Sequence, residues 1–227
     1  MSRRMARAAA VLFLGAAAVS ATLWPEPQSA TLTDGSRALS ASFAITTSSG
    51  SALLARGVAR YAKIIGASAP ALGREAAARR ASSGVSVASL VVTVSSSSEA
   101  LNDVTDYSYT LTLASGSGTA TVAAKTVFGA LYGLETFSQL VVDGALAYDA
   151  VSISDYPKFV HRGLLVDSGR RFVTPALLEN TIDGMAYSKM NVMHIHMSDW
   201  SGFRFAVAAY PELTSGLNGQ ARGWGWG

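Results

Sequence analysis

The residues with the most chemical promise lie close together in the last third of the chain. Ser198-Asp199-Trp200 sets an acid beside an aromatic ring. That pairing suits a sugar, whose hydroxyls donate to the carboxylate while its C–H face stacks on the indole. It equally suits a plain loop in which Asp199 caps backbone and Trp200 packs beneath it. His194 and His196 alternate onto one strand face, as a metal-binding pair would. Hydrogen-bonded histidines in a sheet interior give the same spacing, and no third ligand cluster accompanies these two. Arg162 stands in an apolar run, where a guanidinium is costly unless it meets a carboxylate or a ligand. Arg170 and Arg171 read as solvated or loop-bracing charges.

These residues need elements to hold them, and the pattern from Asp155-Tyr156-Pro157-Lys158 onward is strand, loop, helix, strand. Arg162 to Val166 (RGLLV) is a short apolar strand, followed by the polar loop Asp167-Ser168-Gly169-Arg170-Arg171. Thr174 is a good N-cap with Pro175 at the first helical position, and the helix is expected to run to about Ser188. Asn191 to Met197 (NVMHIHM) is the second strand. Strand–helix–strand order argues for parallel pairing, and polar residues past the strand ends resemble the opening of a (β/α) barrel.

The preceding part looks different. Leu23-Trp24-Pro25-Glu26-Pro27-Gln28 is an extended lead-in, and Ser40 to Thr47 has strand composition. Ser51 is placed to cap a helix to about Ile65, with Leu54, Val58, Tyr61 and Ile65 on one face. Residues 67–84 read as an Ala-, Arg- and Ser-rich loop. Val85 to Val94, Tyr107 to Leu113 and Thr119 to Ala124 are strand candidates, the last two parted by Ser115-Gly116-Ser117-Gly118. A second helix, Thr126 to Val142, carries Val127, Leu131, Leu134 and Val141 at helical spacing, and Gly129 and Gly133 permit close packing against it. The expected fold is therefore an α+β domain followed by the first strands of a barrel.

Bulk properties narrow the class. The formal charge of +3 arises in the first residues, because Arg3, Arg4 and Arg7 are unopposed there. Without them 15 basic residues face 15 acidic ones, so nothing suggests nucleic acid as a partner. Those arginines, the apolar run Ala8 to Val19 and the small residues Val19-Ser20-Ala21 read as a secretory signal over residues 1–21, with a retained N-terminal anchor as the alternative. Twelve apolar residues are too few to span a ~30 Å hydrocarbon core, so no membrane association is expected after cleavage. There are no cysteines and no Asn-x-Ser/Thr sites.

Long segments in order resemble family 20 β-N-acetylhexosaminidases. Phe159-Val160-His161-Arg162-Gly163-Leu164-Leu165-Val166-Asp167 resembles the family's first barrel strand. Asp183-Gly184-Met185-Ala186-Tyr187-Ser188-Lys189-Met190-Asn191-Val192-Met193-His194-Ile195-His196-Met197-Ser198-Asp199 resembles its first helix and second strand. Tyr210-Pro211-Glu212-Leu213-Thr214 is similar to the segment after that. Leu23 to Gln28 resembles the start of the mature enzymes, and Lys125 to Leu140 (KTVFGALYGLETFSQL) the last helix of their N-terminal domain.

The resemblance implies an N-terminal α+β domain over 22–155 and a (β/α)₈ TIM barrel beginning at 156. It implies retaining hydrolysis of terminal N-acetylhexosamine from glycans or chitin oligomers, in which the substrate's own acetamido oxygen is the nucleophile. It implies no metal or cofactor, passage through the secretory pathway to the exterior, a lysosome or a vacuole, and a dimer as one assembly state of a full-length form. By the same resemblance Arg162 binds the sugar's 3- and 4-hydroxyls, Asp199 binds substrate and supports the general acid, and His196 stands behind them. The catalytic Asp-Glu pair is expected beyond Gly227, because no such dipeptide follows Asp199, so the 227-residue chain is expected to be inactive. Trp200 departs from relatives that carry a second acid there, and Leu217 to Gly227 fits no barrel helix. The rivals are a non-catalytic glycan-binding module and a metal-dependent barrel hydrolase using His194 and His196. A quarter-barrel leaves strand edges open. Limited proteolysis is accordingly expected to trim the last 70 residues, from Lys158 onward, quickly; a protease-resistant full-length chain would contradict this.

Overall fold

The computed structural model describes residues 23–67, 84–200, 202–203 and 205–215. The expected leader over 1–21, most of the 67–84 loop and the tail from Leu217 lie outside the described residues. Ten strands and four helices are described: β1 (Ser29–Thr47), α1 (Ala52–Ala67), β2 (Val87–Val94), β3 (Tyr109–Leu113), β4 (Thr119–Ala124), α2 (Val127–Gln139), β5 (Val141–Val142), β6 (Ala145–Asp155), β7 (Gly163–Asp167), α3 (Pro175–Tyr187), β8 (Val192–His196), β9 (Ser198–Asp199), β10 (Gly202–Phe203) and α4 (Glu212–Ser215). None of these helices is long and apolar enough to cross a membrane.

The first six strands form one mixed sheet, ordered β1-β2-β4-β3-β6-β5, and β1 also pairs with β6. The long β1 does both jobs in sequence: Ser29 to Ala38 run antiparallel to β6, and Leu39 to Thr47 run parallel to β2. Alternation sets which face is inside. Tyr109, Leu111 and Leu113 are buried while Thr110 and Thr112 are exposed, as a half-buried strand requires. The buried face meets α1 through Leu54, Tyr61 and Ile65, and α2 through Val127, Ala130, Leu134 and Phe137. Both helices start as the caps predict. Ser51 Oγ accepts from Leu54 N at 3.0 Å, and Thr126 Oγ1 accepts from Gly129 N at 3.2 Å. Gly129 and Gly133 do permit close packing: an added Cβ would meet Ser108 O at 2.4 Å and a Val122 methyl at 2.5 Å.

Two expectations are corrected. The second helix ends at Gln139, not Val142, and Val141 belongs to β5. The cause is Asp143-Gly144, whose positive φ values of 50° and 83° make the two-residue turn of a β5–β6 hairpin. The sequence reading also assigns no element to Ala145–Asp155, which is the most connected strand of the sheet, pairing with β1, β3 and β5.

Inside this domain Arg37 is fully buried. Its guanidinium donates to Val85 O at 2.8 Å, Asp149 O at 3.1 Å and Ser117 O at 2.6 Å, and lies 3.6 Å from the Asp149 carboxylate.

The second part is a β–α–β unit. β7 and β8 pair in parallel without a bulge, from Gly163↔Val192 to Asp167↔His196. They share no ladder with the large sheet. Each strand sits one residue later or shorter than the reading places it, so Arg162 precedes β7 instead of opening it. The unit meets the first domain at a polar seam. Lys189 Nζ reaches Asp155 Oδ2 at 2.9 Å and the Tyr109 hydroxyl at 2.8 Å, and Asn191 Nδ2 donates to the Tyr107 hydroxyl at 2.9 Å.

Replacing Arg37 tests the fold directly. Arg37→Met leaves three carbonyls and the Asp149 carboxylate without their buried partner. It is expected to lower unfolding free energy by about 3–5 kcal/mol, measured by chemical denaturation. A loss below about 1 kcal/mol would refute the role given to Arg37.

Candidate functional site

The polar ends of β7 and β8 converge. The chain leaving β7 folds over the end of β8, where Ser168 N and Gly169 N both donate to His196 O, at 2.9 and 2.8 Å. Gly169 eases this approach, since a Cβ there would crowd backbone atoms of Ser198 at 3.2 Å. Arg170 N then donates to Asp167 Oδ1 at 3.0 Å, which turns the loop back toward the strand end.

That turn delivers the Arg170 guanidinium to Asp199. Nε donates to Asp199 Oδ2 at 2.7 Å and lies 3.5 Å from Asp167 Oδ2. His196 Nε2 stands 3.3 Å from the same Asp199 oxygen, and the other oxygen accepts from Trp200 N at 2.7 Å. Asp199 is thus a hub for three donors, and its side chain is only 10% exposed. Arg170 holds its carboxyl below the usual aspartate range, helped by the Trp200 amide and His196 and opposed by loss of solvent. The Arg170 side chain is 69% exposed, and among the described residues its guanidinium meets Asp199 and Asp167 alone. Asp199 sits in β9, paired with β10 in a short hairpin that turns at Trp200. Trp200 is 94% exposed, so it does not pack beneath the loop.

The expected site residues therefore divide. Asp199 and His196 come together. Arg162 does not join them, because it lies at the opposite, N-terminal end of β7. Its Nε donates to Lys189 O, its Nη atoms to Phe159 O, Val160 O and the Tyr132 hydroxyl, and its plane lies 4.7 Å from the Tyr107 ring centroid. A side chain so engaged braces structure, and its donors are not directed at the C-terminal strand ends where barrel sites gather. The arginine that does stand there is Arg170, which the sequence reading gives a solvated or loop-bracing role. Its position after the strand, not before it, was the available signal.

The metal reading also changes. Among the described residues the cluster with metal-binding spacing is Asp167, His196 and Asp199. His194 is outside it and exposed. A guanidinium already stands 2.7 Å from one of these carboxylates and 3.5 Å from the other, so the chain supplies its own cation there.

Comparison with known proteins agrees with both halves of this architecture. Residues 23–140 match the family described as beta-acetyl hexosaminidase like, and residues 159–222 match the glycosyl hydrolase family 20 catalytic domain. The chain is 42% identical over 113 residues to a beta-hexosaminidase of Emericella nidulans, covering 48% of this chain and 19% of that protein. It is 43% identical over 109 residues to the beta-hexosaminidase alpha subunit of Rattus norvegicus, covering 47% of this chain and 20% of the other. It thus spans about a fifth of the length of these relatives. Among solved structures, the chitobiase of Flavobacterium johnsoniae superposes with a TM-score of 0.67 at 26% identity, over 86% of this chain and 30% of that one. The β-N-acetylhexosaminidase of Streptomyces coelicolor, at 23% identity and a TM-score of 0.59 over 85% of this chain and 38% of its own, shares the fold. With an α+β domain over the first matched stretch and a β–α–β unit opening the second, the chain belongs to the family 20 glycoside hydrolases, comprising their N-terminal domain and the start of their catalytic domain.

Proposed function

We propose that the protein is a β-N-acetylhexosaminidase, and that Asp199 and Arg170 are the groups by which this part of it holds the terminal sugar. The observation that carries the reading is the Arg170–Asp199–His196 cluster at the C-terminal ends of two parallel barrel strands. A sugar presents hydroxyls that both donate and accept. The Asp199 carboxylate accepts from one hydroxyl, the exposed Arg170 fork donates to the oxygen of another, and His196 keeps the carboxylate oriented.

The reaction class is retaining hydrolysis with the substrate acetamido oxygen as nucleophile, without a metal. Its Asp-Glu pair would orient the acetamido group and serve as general acid and base. No such dipeptide follows Asp199 in this sequence. The leader-like residues 1–21 support delivery through the secretory pathway, to the exterior, a lysosome or a vacuole.

The ionisation of Asp199 serves binding. A carboxyl whose pKa is depressed in the folded state stays charged throughout the ordinary aspartate range. Its contribution to stability is present above that range and lost only as pH falls through the depressed value. A carboxyl-carbon titration by NMR is expected to place the Asp199 midpoint below the ordinary value of about 3.9, and Arg170→Ala to raise it. An unshifted wild-type midpoint would remove the electrostatic hub.

Activity is tested on the polypeptide expressed from its complete reading frame. It is expected to release N-acetylhexosamine from an aryl β-N-acetylglucosaminide, unaffected by chelators. Asp199→Asn is expected to lower kcat/KM by about ten- to a hundredfold, the loss of one hydrogen bond to a charged group. Chelator-sensitive turnover, or turnover indifferent to Asp199→Asn, would overturn the proposal.

A further inference from the structure

The end of the β–α–β unit farthest from Asp199 is built with unusual care. α3 closes in a Schellman motif, with Lys189 N bonded to Ala186 O at 3.1 Å and Met190 N to Met185 O at 2.8 Å. The residue in the left-handed position of that motif is usually glycine, yet here it is Lys189, at φ 55°. A lysine there accepts backbone strain and is also 6% exposed, which denies its ammonium most of its water. Both costs have one visible return. The ammonium reaches the buried Asp155 at the end of β6 and the Tyr109 hydroxyl in β3, and lies 5.0 Å from the Tyr109 ring centroid.

The neighbouring residues are fastened in the same way. Arg162, immediately before β7, donates to Lys189 O and to the Tyr132 hydroxyl of α2. Asn191, immediately before β8, accepts from Arg162 N at 2.9 Å and donates to the Tyr107 hydroxyl. The starting points of both strands are thus fixed to each other and to three tyrosines of the first domain. From there the ladder runs unbroken for five pairs to Asp167↔His196. Five residues of parallel strand span about 16 Å, and a one-residue slip would turn every side chain to the opposite face.

We propose that Lys189 and Arg162 are positioning residues for the candidate site: by seating the β7 and β8 starts on the N-terminal domain, they set the approach of Arg170 to Asp199 at the other end of the strands. The N-terminal domain is then a part of the site's construction. The proposal needs only the Arg170–Asp199 contact and does not depend on which reaction the protein catalyses.

The readout is the Asp199 carboxyl titration in the 227-residue chain, which reports contact with Arg170 and not stability. Lys189→Gly relieves the backbone strain but removes the ammonium. It is expected to raise the Asp199 midpoint by about 0.2–0.7 pH unit, the worth of a partly exposed ion pair, while amide dispersion of the six-stranded sheet is retained. Lys189→Arg keeps the charge and is expected to hold the midpoint near the wild-type value. Should Lys189→Gly unfold the β–α–β unit, Arg162→Lys applies a milder displacement, keeping the charge but losing the fork, and is expected to raise the midpoint in the same direction. An unchanged midpoint in Lys189→Gly, or in Arg162→Lys where that variant is needed, with the sheet folded, overturns the proposal.

Discussion

An ammonium, a carboxylate and a phenol share one buried site where the two parts of this chain meet, and the geometry of everything after Asp155 depends on it. Burial draws the Lys189 pKa down while Asp155 pushes it back, so desolvation outweighs the attraction. A pair with that balance contributes little net stability over an apolar filling, but it tolerates few alternative arrangements. An apolar contact would hold the end of α3 less sharply in place against β3 and β6. A hydrogen-bonded charge in a left-handed helix cap holds it more sharply, because direction and distance are both fixed. Arg162 extends the constraint by bonding the carbonyl of Lys189 itself.

The two ends of the short parallel ladder have separate duties. Its N-terminal end is committed to the first domain through Arg162, Lys189 and Asn191. Its C-terminal end holds a carboxylate with three donors and an arginine still mostly in water. This agrees with the general division in (β/α) barrels, where strand starts carry stability and strand ends carry chemistry. Trp200 lies on the chemical side, at the turn after Asp199.

Much of this was legible in the sequence, for physical reasons that also mark the limits. α1, α2 and β2 to β4 follow from period and capping because each has one buried face. β6 was not legible: the apolar run of α2 passes straight into Val141-Val142, and only Asp143-Gly144 marks the break. Of the candidate site, Asp199 and His196 stand out by side-chain type, and the structure brings the two together. Arg162 and Arg170 cannot be sorted by type, since both are arginines flanking one apolar strand. What separates them is which end of the strand each flanks, together with Tyr107 and Tyr132, which are distant in sequence and adjacent in space.

Arg37 has a further consequence, and it concerns time. Its three carbonyl partners lie 48, 80 and 112 residues away along the chain. Until all three segments have arrived, the guanidinium must remain hydrated, and the sheet around it cannot close. Closure of that kind puts the entropy of long loops ahead of the contacts that reward it, which is the signature of slow, all-or-none assembly. The domain that seats the first barrel strands is thus itself completed late, and a nascent chain must reach at least Asp149 before its platform exists.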